Sequence, residues 1–90
     1  MPHTFDELIE KQRAADLAHR RVEELRAQYG PPAEVGGWSQ TQTRTYDTAW
    51  RAWRDLARDA HTSLSEFARE QGTSRGDVEA RVADSVREEE

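Results

Sequence analysis

Tyr46-Asp47-Thr48-Ala49-Trp50-Arg51-Ala52-Trp53-Arg54-Asp55-Leu56-Ala57-Arg58-Asp59-Ala60 decides the fold, because it can only be one side of a long helix. At 100° per residue, Tyr46, Ala49, Trp50, Trp53, Leu56, Ala57 and Ala60 fall within a sector ~120° wide, the pattern of a helix buried along one side. Trp50 and Trp53 therefore read as core. Each aromatic side chain removes ~150–250 Å² from water, which matters in a chain this short of aliphatic residues. The opposite side carries Arg44, Arg51, Arg54 and Arg58 within ~80° of one another. Asp47 sits inside that stripe, and Asp55 and Asp59 lie beside it. A solvated face laced with pairs such as Asp47 to Arg51 accounts for the pattern.

Working outward, Ser39 caps this helix, with Gln42 three residues on, and the expected span is 39–61. Upstream, Thr4-Phe5-Asp6-Glu7 reads as a capping box that starts a helix over about 4–28. Tyr29-Gly30-Pro31-Pro32 stops it, since proline lacks the amide donor and restricts its predecessor. Leu8, Ala15, Val22 and Tyr29 repeat every seven residues, with Ala18 and Leu25 in the second seam position, which is the spacing of long antiparallel or coiled-coil packing. Lys11 interrupts the seam. Glu7 to Lys11 and Asp16 to Arg20 are acidic-before-basic pairs four apart. Residues 30–38 form a linker rich in Pro and Gly, from whose end Trp38 is expected to fold back on the core.

Downstream, Ser63-Leu64-Ser65-Glu66 reads as a second capping box opening a short helix over 64–71. Gly72-Thr73 breaks it. Ser74 then caps a helix over 74–87, with Val78, Val82 and Val86 on one side. Glu88-Glu89-Glu90 puts negative charge at the negative end of the helix dipole, so a frayed tail is expected over 88–90.

The 90 residues fit one domain, and a chain of this size buries only somewhat more than ~60% of its unfolded surface. Cysteine is absent, which excludes disulfides, a thiolate zinc site and a cysteine nucleophile. The N-terminus lacks the basic start and apolar run of a signal peptide, and no stretch approaches the ~20 apolar residues of a membrane span. A cytoplasmic location with no membrane role is the expectation. The net charge of −5 is uneven: −1 over residues 1–30, 0 over 31–62 and −4 over 63–90. Such a chain repels phosphate backbones at long range, so nucleic-acid binding would need a local basic surface.

Residues 64–83, Leu64-Ser65-Glu66-Phe67-Ala68-Arg69-Glu70-Gln71-Gly72-Thr73-Ser74-Arg75-Gly76-Asp77-Val78-Glu79-Ala80-Arg81-Val82-Ala83, resemble the helix-turn-helix pattern of bacterial DNA-binding proteins. Ala68, Gly72 and Val78 occupy the small, glycine and aliphatic positions of that pattern. The small residue lets the helices approach and the glycine makes the turn. Gln71 and Arg81 stand where the pattern wants apolar residues. The resemblance implies a recognition helix over 74–87, yet its outward side mixes Ser74, Arg75 and Arg81 with Asp77, Asp84 and Glu88.

Little else carries chemistry. Asp16, His19 and Glu23 share one face of the first helix at metal-ligand spacing, but no matching set from another helix is visible, and a hydrated face is the reading. His3 is assigned to a disordered start and His61 to a helix end. No metal site, cofactor or enzymatic activity is expected, for there is no phosphate loop and no nucleophile elbow.

The expected fold is all-α: a long antiparallel helix hairpin, with a short C-terminal helix-turn-helix-like pair closing over the Trp50 and Trp53 end. Two functions follow as expectations. One is a DNA-binding or transcription-associated accessory protein, with Arg44, Arg51, Arg54, Arg58, Arg69, Arg75 and Arg81 as contacts. The other is a protein-interaction module or homodimer using helix 4–28. Arginines on one continuous surface would favour the first, and arginines scattered among acids the second.

Overall fold

The computed structural model describes residues 3–31 and 37–89. Among these the chain is all-α: α1 spans Phe5–Tyr29, α2 spans Gln40–Gln71 and α3 spans Arg75–Glu89. The linker expected over 30–38 lies mostly outside the described residues, as do Met1, Pro2 and Glu90.

α1 starts as its sequence requires, with the Thr4 hydroxyl accepting from the Glu7 amide at 3.1 Å. The Glu7 carboxylate takes the His3 ring at 3.3 Å. The seven-residue seam points inward, with Leu8, Ala15, Val22 and Leu25 all buried. Lys11 is not idle in it: its ammonium reaches across to Asp59 at 3.2 Å and donates to the Ser63 hydroxyl at 2.7 Å. These contacts, with His19 against Trp53, set α1 antiparallel to α2. The seam is thus spent inside the hairpin.

The largest departure from expectation is that 39–61 and 64–71 are one helix of 32 residues, about 48 Å long at 1.5 Å per residue. Ser39 and Gln42 form the expected capping box at its start. Ser63 caps nothing. It is 2% exposed in mid-helix and its hydroxyl is engaged by Lys11. No Gly or Pro lies between Gln40 and Gln71, so a Ser with a Glu three residues on was insufficient to break a ladder whose apolar side, Ala60, Leu64, Phe67 and Ala68, runs straight through.

α2 ends at Gly72, where φ is +67°. The Gly72 amide donates to Arg69 and the Thr73 amide to Ala68, the paired bonds that satisfy the last carbonyls of a helix closed by a left-handed residue. Ser74 then caps α3 through the Asp77 amide at 3.1 Å. α3 continues through Arg87 to Glu89, further than its acidic tail suggested, with Arg87 paired to Asp84 in the last turns.

α3 does not close over Trp50 and Trp53. Val78, Val82 and Val86 pack on Leu8, Ile9, Leu64, Phe67 and Ala68, with Phe5 against the same cluster. This is the opposite end of the hairpin. Three valines at four-residue spacing need a groove with apolar walls on both sides, and only the end formed by the start of α1 and the close of α2 supplies one. The molecule, 53 Å long, is a three-helix bundle at one end and a bare two-helix hairpin at the other. The tryptophans belong to the bare end: Trp50 and Leu56 are each 38% exposed. Trp53 is half-buried rather than the centre of a core. Trp38 does fold back, its indole donating to the Gly30 carbonyl at 2.9 Å and stacking edge-on to Tyr29 and Tyr46.

Candidate interaction face

Where α3 begins, a shallow cleft of about 270 Å³ opens between the three helices. Gln12, Asp16 and His19 line it from α1, Trp53, Ala57 and His61 from α2, and Arg75 and Glu79 from α3. Beyond the cleft the same face of the hairpin continues uncovered. His19 lies 4.6 Å from Trp53, ring centre to ring centre, and pairs with Glu23 at 3.3 Å. Trp53 meets Trp50 edge-on at 6.5 Å, and the Arg54 guanidinium lies 5.3 Å from the Trp50 ring. The face is an aromatic strip flanked by one carboxylate and one guanidinium.

The helix-turn-helix-like segment has the local geometry its three key residues require. Ala68 and Val78 are buried at the helix contact and Gly72 makes the left-handed turn. Two of the segment's three arginines, Arg75 and Arg81, are otherwise employed. Arg75 lies along α2, donating from Nε to Ser65 at 3.0 Å and from Nη2 to the His61 ring at 2.6 Å, with Glu79 at 3.9 Å. His61 is therefore mid-helix, and it accepts from the first residue of α3. Arg81 lies 4.9 Å over the Phe5 ring, on the far side of α3.

On α2 the arginines follow the expected stripe but are interrupted. Arg51 pairs with Asp47 at 3.1 Å and Arg54 contacts Asp55 at 3.6 Å. Arg44, Arg58 and Arg69 are exposed on the same helix, and Arg44 to Arg69 spans ~37 Å. Arg75 and Arg81 belong to α3, and both make contacts within the protein. The metal-like trio resolves into local contacts, Gln12 to Asp16 at 2.9 Å and His19 to Glu23, and no cluster fit to hold a metal ion occurs among the described residues. No described helix is long and apolar enough to cross a membrane.

His3 lies between two carboxylates. Its Nε2 meets Glu66 on α2 at 2.6 Å and its Nδ1 meets Glu7, and the Glu66 and then the Glu7 carboxylate raise its pKa above the usual 6.5. No periodicity could have revealed that contact, which joins residues 63 apart in the chain. The exposure of Trp50 had a signal: α3 offers apolar side chains for three turns only, too few to cover both ends of a helix twice its length.

No protein-family model matches the chain, and neither a curated protein nor a solved structure matches it.

Proposed function

We propose that this chain is a non-catalytic protein-interaction module whose working surface is the uncovered Trp50 and Trp53 face of the hairpin. One observation carries the reading: the apolar cluster that seats α3 lies at one end of the hairpin, and Trp50, on α2 beyond it, is left 38% exposed with Trp53 half-buried beside it. Tryptophan and arginine are among the residues that most often dominate protein interfaces, tryptophan because it buries a large area with few rotors and arginine because its planar guanidinium both stacks and donates several hydrogen bonds. Helix 4–28 contributes His19 and Glu23 to this face rather than its seven-residue seam.

The DNA-binding reading keeps one supporting feature, the glycine turn at Gly72 between two packed helices. Against it stand the engagement of Arg75 and Arg81 within the protein and the acids Asp77, Asp84 and Glu88 on α3. Phosphate binding needs free cations on a shared surface.

The test pairs two assays. Immobilised wild-type protein and a Trp50→Glu variant are compared for binding of proteins from a lysate of the source cells, and both are titrated with duplex DNA at about 50 and 200 mM salt. Trp50-dependent protein capture with no salt-dependent DNA binding is the expected result. Tight duplex binding lost in Arg75→Ala would overturn it.

A further inference from the structure

We infer that the start of α1 is a proton-operated latch with two positions: imidazolium His3 ties Glu7 to Glu66 and fastens α1 to α2, whereas neutral His3 lets Glu7 turn back onto the Thr4 amide. Geometry defines the first position. The His3 Nε2 lies 2.6 Å from a Glu66 carboxylate oxygen and the Nδ1 lies 3.3 Å from a Glu7 oxygen. An ionised carboxylate only accepts, so both ring nitrogens must donate, and only the imidazolium carries two N–H groups.

The same contact diverts Glu7 from the role its spacing gives it. Among the described residues the Thr4 to Glu7 capping box is half closed: the Thr4 hydroxyl takes the Glu7 amide at 3.1 Å, while the Glu7 carboxylate is on His3. At Ser39, where the third residue on is the neutral Gln42, both halves are made. A neutral imidazole has one N–H and serves one carboxylate. Glu7 is the one with a second donor in reach, because a carboxylate at the third helical position reaches back to the cap amide. Glu66, 45% exposed, then keeps a single uncharged donor in competition with water, and the tie between the helices loosens.

The surrounding charges set the direction. Glu66 faces the ring from α2, Glu7 and Lys11 from α1, and Asp59 of α2 holds the Lys11 ammonium at 3.2 Å. On α3, Arg81 stands over Phe5, two residues along from His3. The bond to Glu66, and then that to Glu7, outweigh partial burial and Lys11 and raise the His3 pKa above 6.5. The first position is therefore complete below 6.5 and gives way as pH rises through the folded value. Its place in the fold is where the three helices meet. Phe5 packs on Phe67 at 6.2 Å between ring centres, under Arg81, against the cluster that seats Val78, Val82 and Val86. Loosening this turn loosens one wall of the α3 groove.

Nitrogen-15 NMR of the full chain from about pH 5 to 9 tests this. The His3 ring should lose its second proton with a midpoint above 6.5, and the Thr4 amide should shift at that same midpoint. Its exchange, corrected for the intrinsic dependence on pH, should slow by about threefold or more as Glu7 arrives. Glu66→Gln should lower the His3 midpoint toward 6.5. Glu7→Gln should lower it less and leave the Thr4 amide bonded at every pH, as Gln42 does for Ser39. His3→Gln should abolish the pH response of the Thr4 amide. A His3 midpoint at or below 6.5, a Thr4 amide indifferent to the state of the ring, or a Thr4 response that persists in His3→Gln overturns the latch.

Discussion

Val78→Ala tests the seating of α3 on the hairpin. Val78 is 0% exposed, at the centre of the cluster formed by Leu8, Leu64, Phe67 and Val82. Truncation removes two buried methyl groups, worth ~0.8 kcal/mol each. It also leaves a space of roughly 50 Å³ walled by helices that cannot fully collapse, which adds ~1.2 kcal/mol at ~24 cal/mol per Å³. The sum, ~2.8 kcal/mol, is a large part of the ~5–13 kcal/mol a domain of this size possesses. It should lower the melting temperature by more than ~10 °C. The control is Leu17→Ala, at a residue 65% exposed on α1, where the change should stay within ~0.5 kcal/mol. Urea denaturation followed by circular dichroism at 222 nm reports both. A Val78→Ala loss below ~1 kcal/mol, or an equal loss for Leu17→Ala, would mean that α3 is not seated on this groove.

Three further outcomes follow from local contacts. Ser63→Ala should cost about 0.5–1.5 kcal/mol in the same urea series through the lost bond from Lys11, and that loss should shrink toward zero in a Lys11→Met background; were Ser63 the cap of a separate helix, the loss of ~0.5–2 kcal/mol would be the same in both backgrounds. Gly72→Ala should cost about 1 kcal/mol from backbone strain alone, since φ is +67° and a Cβ there meets nothing within 4 Å. His3→Gln should reduce the melting temperature most near pH 5–6 and hardly at all by pH 8.5: the folded pKa lies above the unfolded 6.5, so the stabilisation is complete below 6.5 and vanishes as pH rises through the folded value. A pH-independent difference between His3→Gln and wild type would show that the ring is held as a neutral donor.

The helix hairpin was legible because Tyr46 to Ala60 and Leu8 to Leu25 each carry a full period of apolar residues, and periodicity is a local property of the chain. The caps at Thr4, Ser39 and Ser74 and the turn at Gly72 were legible for the same reason. What failed was non-local. Ser63 looks like a cap until Lys11, 52 residues away, is seen to occupy its hydroxyl. Trp50 and Trp53 look like core until the valines of α3 are seen to be seated at the other end. The arginine stripe is visible in sequence, whereas the inward turn of Arg75 onto Ser65 and His61 depends on how α3 crosses α2. A period assigns a residue to a side of its own helix, and only tertiary packing determines whether that side is covered.

Amide hydrogen exchange, resolved residue by residue, tests most directly whether the core lies at one end and the aromatic face is bare at the other. The slowest amides should lie in Leu64 to Ala68, Val78 to Val86 and the turn around Leu8, opening only with global unfolding, while those from Thr43 to Arg54 exchange through smaller local openings. Greatest protection centred on Trp50 and Trp53, with α3 exchanging early, would contradict the account.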